Sequence, residues 1–263
     1  MSPLTLNETL KKLDFPVKLM DIKHEGQDKI IPGRKAVVRT DTMQTLNIVT
    51  DKYKLVPHID VIHEPLEILV KQGFSIENIK MAKNGAFVKA VVKDPTEMTV
   101  VGDKFFKTFS VINSYDSTHR LQVLLGVMRL ICTNGAAILR KGFRFGAKHY
   151  VSMSMDTSRL TEFIKTSSEG FKIWEKDIEY ISKKPFGQTD YIDVLNDLKV
   201  GDRMHDEILA ASKLDINRGP GLYGLYNGYS YVMSRKGDTG TALTQLRNDI
   251  RGDIFLKQLK EYN

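Results

Sequence analysis

The chain has 263 residues, of which 41% are hydrophobic and 27% charged, with a formal net charge of +7. This composition is ordinary for a water-soluble globular protein, and the length suffices for a substantial core. A disulfide-stapled scaffold is excluded because Cys132 is the single cysteine. A spanning apolar segment is excluded because the longest apolar run, near 121–131, is short and broken by Gly126 and Arg129.

Residues 1–30 read as a short helical or irregular lead-in, with Leu6, Leu10 and Leu13 at helical spacing before Pro16. Residues 34–40 and 44–50 are β-branched segments joined by Asp41-Thr42-Met43, the pattern of a hairpin. A helix follows over 59–72, with Ile62, Leu66, Leu69 and Val70 on one face and Gly73 as its stop. Pro65 either kinks that helix or marks its start. Strands over 76–82 and 86–92 flank Lys83-Asn84-Gly85, in which Asn-Gly tolerates positive φ. Segments 98–101 and 104–113 meet across Gly102-Asp103, and residues 114–119 lead into 120–133. Together these segments predict an antiparallel sheet of five or six strands.

From Asp156 the periodicity becomes helical. Leu160, Phe163, Ile164, Phe171, Trp174, Ile178 and Ile181 form one apolar face that ends at Lys183-Lys184-Pro185, with Asp156, Thr157 or Ser158 as its cap. Its outer face is acidic, and residues 151–200 sum to −2. Further helices are expected over 189–198, 203–214, 222–234 and 246–262. Strands first and helices second argue for an α+β fold with helices packed on one face of the sheet. The expected organisation is a lead-in over 1–30, a core over 31–184 and a helical extension over 185–263.

Charge is distributed unevenly. Between Val101 and Tyr150 lie Lys104, Lys107, Arg120, Arg129, Arg140, Lys141, Arg144 and Lys148 against Asp103 and Asp116, a local +6 of the total +7. Phe105, Phe106, Phe109, Phe143, Phe145 and Tyr150 are interleaved with them. Such a pattern suits a surface that tracks a phosphate backbone and offers rings to bases. The competing reading puts the rings in the core with cations around them. Arg129, inside an apolar run, reads as a paired structural arginine.

Other motifs have plain explanations. Gly219-Pro-Gly221-Leu-Tyr-Gly224 fits G-x-G-x-x-G, but a helical segment precedes it where a dinucleotide site needs a strand, so it reads as a link between helices. His58 and His63 are five apart, whereas a zinc pair on a helix needs four, so both read as structural. His119 is the histidine best placed to touch a ligand. Cys132 reads as a small buried residue. No catalytic constellation, cofactor loop or metal set is visible, and a non-enzymatic protein is expected.

The stretches Ile112-Asn-Ser-Tyr-Asp-Ser-Thr-His119 and Met128-Arg-Leu-Ile-Cys-Thr-Asn-Gly135 resemble a phage and plasmid family, domain of unknown function 932. That family shows Asn-Ser-His-Asp-Gly, then Arg-x-x-Cys-x-Asn, then Trp-x-Leu-x-Asn-Ala-x-Thr-x-Tyr. Here the last pattern falls on Leu222-Tyr-Gly-Leu-Tyr-Asn227-Gly-Tyr-Ser-Tyr231, and Tyr53–Pro57 resembles the family's early strand. Tyr115 stands where the family has histidine, and Ser117 where it has glycine. The order of elements is also similar to the β-β-β-α core of single-strand annealing recombinases.

The resemblance implies a phage-type protein of the bacterial host cytoplasm. Together with the charge pattern, it leads to the expectation of single-stranded DNA binding and annealing as a homo-oligomer. The expected contacts are Lys104, Lys107, Arg120, Arg140, Lys141, Arg144 and Lys148 to phosphates, with Phe143, Phe145 and Tyr150 at bases. The runner-up is an interaction protein whose basic surface binds a host or phage protein.

Overall fold

The computed structural model describes residues 5–26, 28–130, 135–137, 144–147, 157–238 and 241–263. Helix α1 (Leu6–Leu13) opens on a capping box. Thr5 Oγ1 accepts the Glu8 N–H at 3.2 Å, and the Glu8 carboxylate accepts the Thr5 N–H at 2.8 Å. Strands β1 (Val17–Lys23), β2 (Ile30–Arg39) and β3 (Gln44–Thr50) form an antiparallel sheet in that order. β1 falls where an irregular lead-in was expected. A register shift between Asp21 and Lys23 disturbs its alternation, so its period-2 signal is weak. Phe15, Val37, Val49 and Tyr115 form the core against this sheet, joined by Val17, Leu19 and Leu46.

Helix α2 (His58–Lys71) follows and carries Pro65 within it. The larger antiparallel sheet is built from β4 (Ser75–Ala82), β5 (Phe87–Val100), β6 (Asp103–Ser114), β7 (Leu121–Arg129), β8 (Gly135–Ala137) and β9 (Arg144–Ala147). Its order is β4-β5-β6-β7-β8, and β9 also pairs with β7. The segments expected over 86–92 and 98–101 are one strand running through Pro95. Pairing with β4 ends at Ser75 opposite Lys93, so Pro95 lies beyond the end of β4, where its missing N–H costs no bond on that side. The turn between β4 and β5 needs left-handed backbone at Asn84 (φ 57) and Gly85 (φ 97). A side chain at Gly85 would also meet the Phe15 ring, with a Cβ only 2.8 Å from it.

β6 and β7 are buried almost throughout, on both faces. Alternation puts Phe105, Lys107 and Phe109 on one face of β6, and helix α3 (Thr157–Ser182) supplies their neighbours. The Phe105 ring meets Trp174 edge-on at 4.9 Å, and Phe109 meets Phe163 at 6.2 Å. Trp174, Ile178 and Ile181 on the apolar face of α3 are all essentially inaccessible. Burying each side chain of that size stabilises the fold by about 1.5–3 kcal/mol.

The remaining helices are α4 (Tyr191–Asp197), α5 (Asp202–Ser212), α6 (Tyr223–Asp238) and α7 (Ala242–Glu261). They follow the expected segments closely and complete the α+β fold. Gly219, Gly221 and Gly224 precede and open α6 as a close-packed link. A Cβ on Gly221 (φ 56) would lie 2.6 Å from the Ser182 carbonyl oxygen, and one on Gly224 would lie 2.6 Å from the Tyr191 hydroxyl. Close approach of neighbouring protein groups therefore accounts for these glycines. Among the described residues, no helix is long and apolar enough to cross a membrane.

Contacts divide the described residues into two compact units. One takes residues from Met1–Lys93, Phe109–Leu124 and Arg144–Lys165, and the other from Asp94–Thr108, Leu125–Phe143 and Thr166–Asn263.

Candidate nucleic-acid interface and buried polar clusters

The expected phosphate contacts separate into distinct groups. Lys104 is exposed at the start of β6, and its ammonium pairs with Glu97 at 2.9 Å. Lys107 projects from the opposite face of β6, where its ammonium sits 5.5 Å from the centre of the Phe171 ring. Arg120 is exposed immediately before β7. Arg144 and Phe145 belong to β9, with backbones opposite Leu124 and Val123. Arg140, Lys141, Phe143, Lys148 and Tyr150 lie outside the described residues, as does Cys132. Phe105, Phe106 and Phe109 are buried at 3%, 8% and 0% exposure, so these three rings belong to the core.

Residues from the stretches that carry the family resemblance join two buried polar clusters. In the first unit His58 is fully buried and begins α2. Its Nε2 lies 2.8 Å from the Gly85 carbonyl oxygen and its Nδ1 lies 2.9 Å from Asn113 Nδ2. A carbonyl can only accept, which puts the ring proton on Nε2 and leaves Nδ1 to accept from Asn113. The Tyr115 ring stacks on the imidazole at 3.8 Å, and its hydroxyl accepts the His58 N–H at 2.6 Å. Burial drives the Tyr115 phenol far above its ordinary range, so it stays protonated.

The turn that follows is fixed by Asp116. Its carboxylate takes the Lys83 ammonium at 2.6 Å and accepts both the Thr118 N–H, at 3.1 Å, and the Thr118 hydroxyl, at 2.5 Å. Burial opposes ionisation of Asp116, and hydrogen bonds from Lys83, Thr118 and Ser114 outweigh it, so its pKa falls below the usual value. Burial, with the Asp116 charge adding to it, pushes Tyr53 up to about 12. His119 Nδ1 lies 3.0 Å from Thr118 Oγ1, and its ring meets Phe87 edge-on at 5.1 Å. Ser117 holds φ 59, a left-handed conformation that glycine adopts more readily than serine.

In the second unit Arg129 is 5% exposed and pairs with Asp103 Oδ2 at 2.7 Å. The guanidinium also donates to Asn217 Oδ1 at 3.0 Å and to the Ile216 carbonyl at 2.5 Å. Asp103 Oδ2 additionally accepts from the Tyr223 hydroxyl at 2.5 Å and from Asn227 Nδ2 at 3.3 Å. Burial first, and the Asp103 carboxylate second, hold the Tyr223 phenol protonated well above its ordinary range. The expected pairing of Arg129 is therefore present. Asp103, expected only as a turn residue, is the hub, and neither it nor Asn217 carries a local signal for that role.

Among the described residues, no group of three or more His, Cys, Asp or Glu side chains is placed to hold a metal ion. The arrangement is that of an α+β protein in which Asn113, Tyr115, Arg129, Tyr223 and Asn227, all from the stretches that carry the resemblance, join two internal polar clusters. The family model described as domain of unknown function (DUF932) matches residues 45–243, and the chain belongs to that family. Comparison with curated proteins and with solved structures gives no match.

Proposed function

We propose that the protein binds single-stranded DNA and promotes annealing as a homo-oligomer, in a phage-type setting. The observation that carries this reading is the concentration of +6 of the net +7 charge between Val101 and Tyr150. The exposure of Lys104 and Arg120 supports it. Lys107 and Arg129 serve the fold, so phosphate neutralisation falls mainly to Lys104, Arg120, Arg140, Lys141, Arg144 and Lys148. With Phe105, Phe106 and Phe109 in the core, base stacking falls to Phe143, Phe145 and Tyr150. Annealing of this kind needs no catalytic residue. Shielding the phosphates lowers repulsion between two strands while their base edges stay available.

The test is fluorescence anisotropy with labelled single-stranded oligonucleotides over a range of salt concentrations. Replacing Arg140, Lys141 and Arg144 together by Ala is expected to flatten the log–log salt dependence by about two, at roughly 0.7 per single-strand phosphate contact. Binding that survives unchanged at moderate salt overturns the assignment. Mass photometry with and without oligonucleotide reads assembly, and a monomer in both conditions counts against annealing by an oligomer.

A further inference from the structure

A groove of about 470 Å³ lies along α5 and α6, within the second unit. Its volume falls in the range of about 300–1,000 Å³ that small-molecule sites occupy. Ala211, Leu214 and Val232 give it an apolar wall. The charged end is built differently. The Arg235 guanidinium lies 4.4 Å from the centre of the Tyr231 ring, so a flat cation is layered on a flat ring. Next to it the Lys236 ammonium meets Glu207 at 2.5 Å, and Arg203 reaches the same carboxylate at 3.7 Å. Lys236 and Arg203 thus share one carboxylate, and Arg235 lines the groove beside Lys236.

We propose that this groove binds a mononucleotide. The phosphate lies against Arg235 and Lys236, and the base continues the Tyr231–Arg235 stack over the apolar wall. Three features together select that class. Two cations, Arg235 and Lys236, line the groove against one carboxylate, Glu207, which favours an anion, and a guanidinium suits phosphate because it presents a planar fork of donors. The stacked ring and guanidinium favour a planar body over a flexible chain. The volume accommodates a compact ligand and is too small for a helix. The basic last turn of α6 also complements that helix's negative end, a role that Arg235 and Lys236 fill without any ligand. The size and apolar wall of the groove are not explained by that role. This site is separate from the cations proposed to hold single-stranded DNA and does not depend on them.

The experiment is isothermal titration of the full chain with deoxyadenosine monophosphate, with inorganic phosphate as the anion-only probe. The variants are Arg235→Ala, which removes the stacked cation, and Ala210→Trp, an exposed substitution that fills the groove. The expected result is saturable binding of the nucleotide, stronger than that of phosphate. Arg235→Ala weakens it about tenfold or more, the scale of one charge-assisted contact, and Ala210→Trp abolishes it. Thermal melts confirm that both variants fold. No saturable binding by the parent chain overturns the proposal, as does equal affinity for phosphate or binding indifferent to both substitutions. Arg140→Ala with Lys141→Ala and Arg144→Ala leaves nucleotide binding intact, so failure here and failure of the DNA reading are told apart.

Discussion

The cluster around His58 and the cluster around Asp103 solve the same problem with different materials. Both bury polar side chains, some of them drawn from the stretches that resemble the family's motifs: Asn113 and Tyr115 in one, Arg129, Tyr223 and Asn227 in the other. Around His58 the hydrogen bonds join uncharged groups: an amide, a phenol and a backbone carbonyl meet the imidazole and its backbone N–H. Around Asp103 the centre is a carboxylate–guanidinium pair, with a phenol and an amide completing the oxygen's shell. A neutral network loses one modest hydrogen bond at a time, whereas an ion pair that loses one member leaves a charge stranded. The two units should therefore differ in how sharply single substitutions damage them.

The largest effect is expected at Arg129. Arg129→Met leaves Asp103 without its counter-charge and should cost about 3–5 kcal/mol in denaturant unfolding. Adding Asp103→Asn to that variant should restore much of the loss, because the stranded charge is then removed. If the double variant is as unstable as the single one, the ionic description of this cluster fails. Asn113→Ala should cost less, about 1–3 kcal/mol, by leaving His58 Nδ1 buried without its amide donor. Nitrogen chemical shifts of the imidazole should show the proton on Nε2 in the parent protein. A proton on Nδ1 would contradict the geometry. The smallest effect is expected at Ser117, held at φ 59. Ser117→Gly relieves left-handed strain of about 1 kcal/mol but frees the unfolded chain. It also gives up a 3.3 Å bond from Asn47 Nδ2 to the Ser117 hydroxyl. A net gain of a few tenths of a kcal/mol is expected, and a clear loss would show that the hydroxyl matters more than the backbone.

Legibility in the sequence followed the range of the interactions. α3 was visible because Leu160 through Ile181 repeat at helical spacing before Lys183-Lys184-Pro185. The β4–β5 hairpin was visible because Asn84-Gly85 is a local signal for positive φ. β1 was obscured by its bulge. The basic window was plain, yet composition could not say that Phe105 and Lys107 face Trp174 and Phe171 on α3. Arg129 was readable as a paired arginine, because a charge in an apolar run must be compensated. Its partners were not, since Asn217 lies 88 residues away and no periodicity connects them. The cysteine and the remaining cations of the window, from Arg140 to Lys148 apart from Arg144, fall outside the described residues.

The start of α2 has one more implication. Pro57 occupies the cap position and offers no side-chain hydrogen bond, so no side chain at the cap satisfies the first amides of the helix. The amide of His58 is instead satisfied by the Tyr115 hydroxyl, 57 residues further along the chain. The first amide of α2 is satisfied only where Tyr115, directly after β6, is in place, so the boundary of this helix depends on tertiary structure.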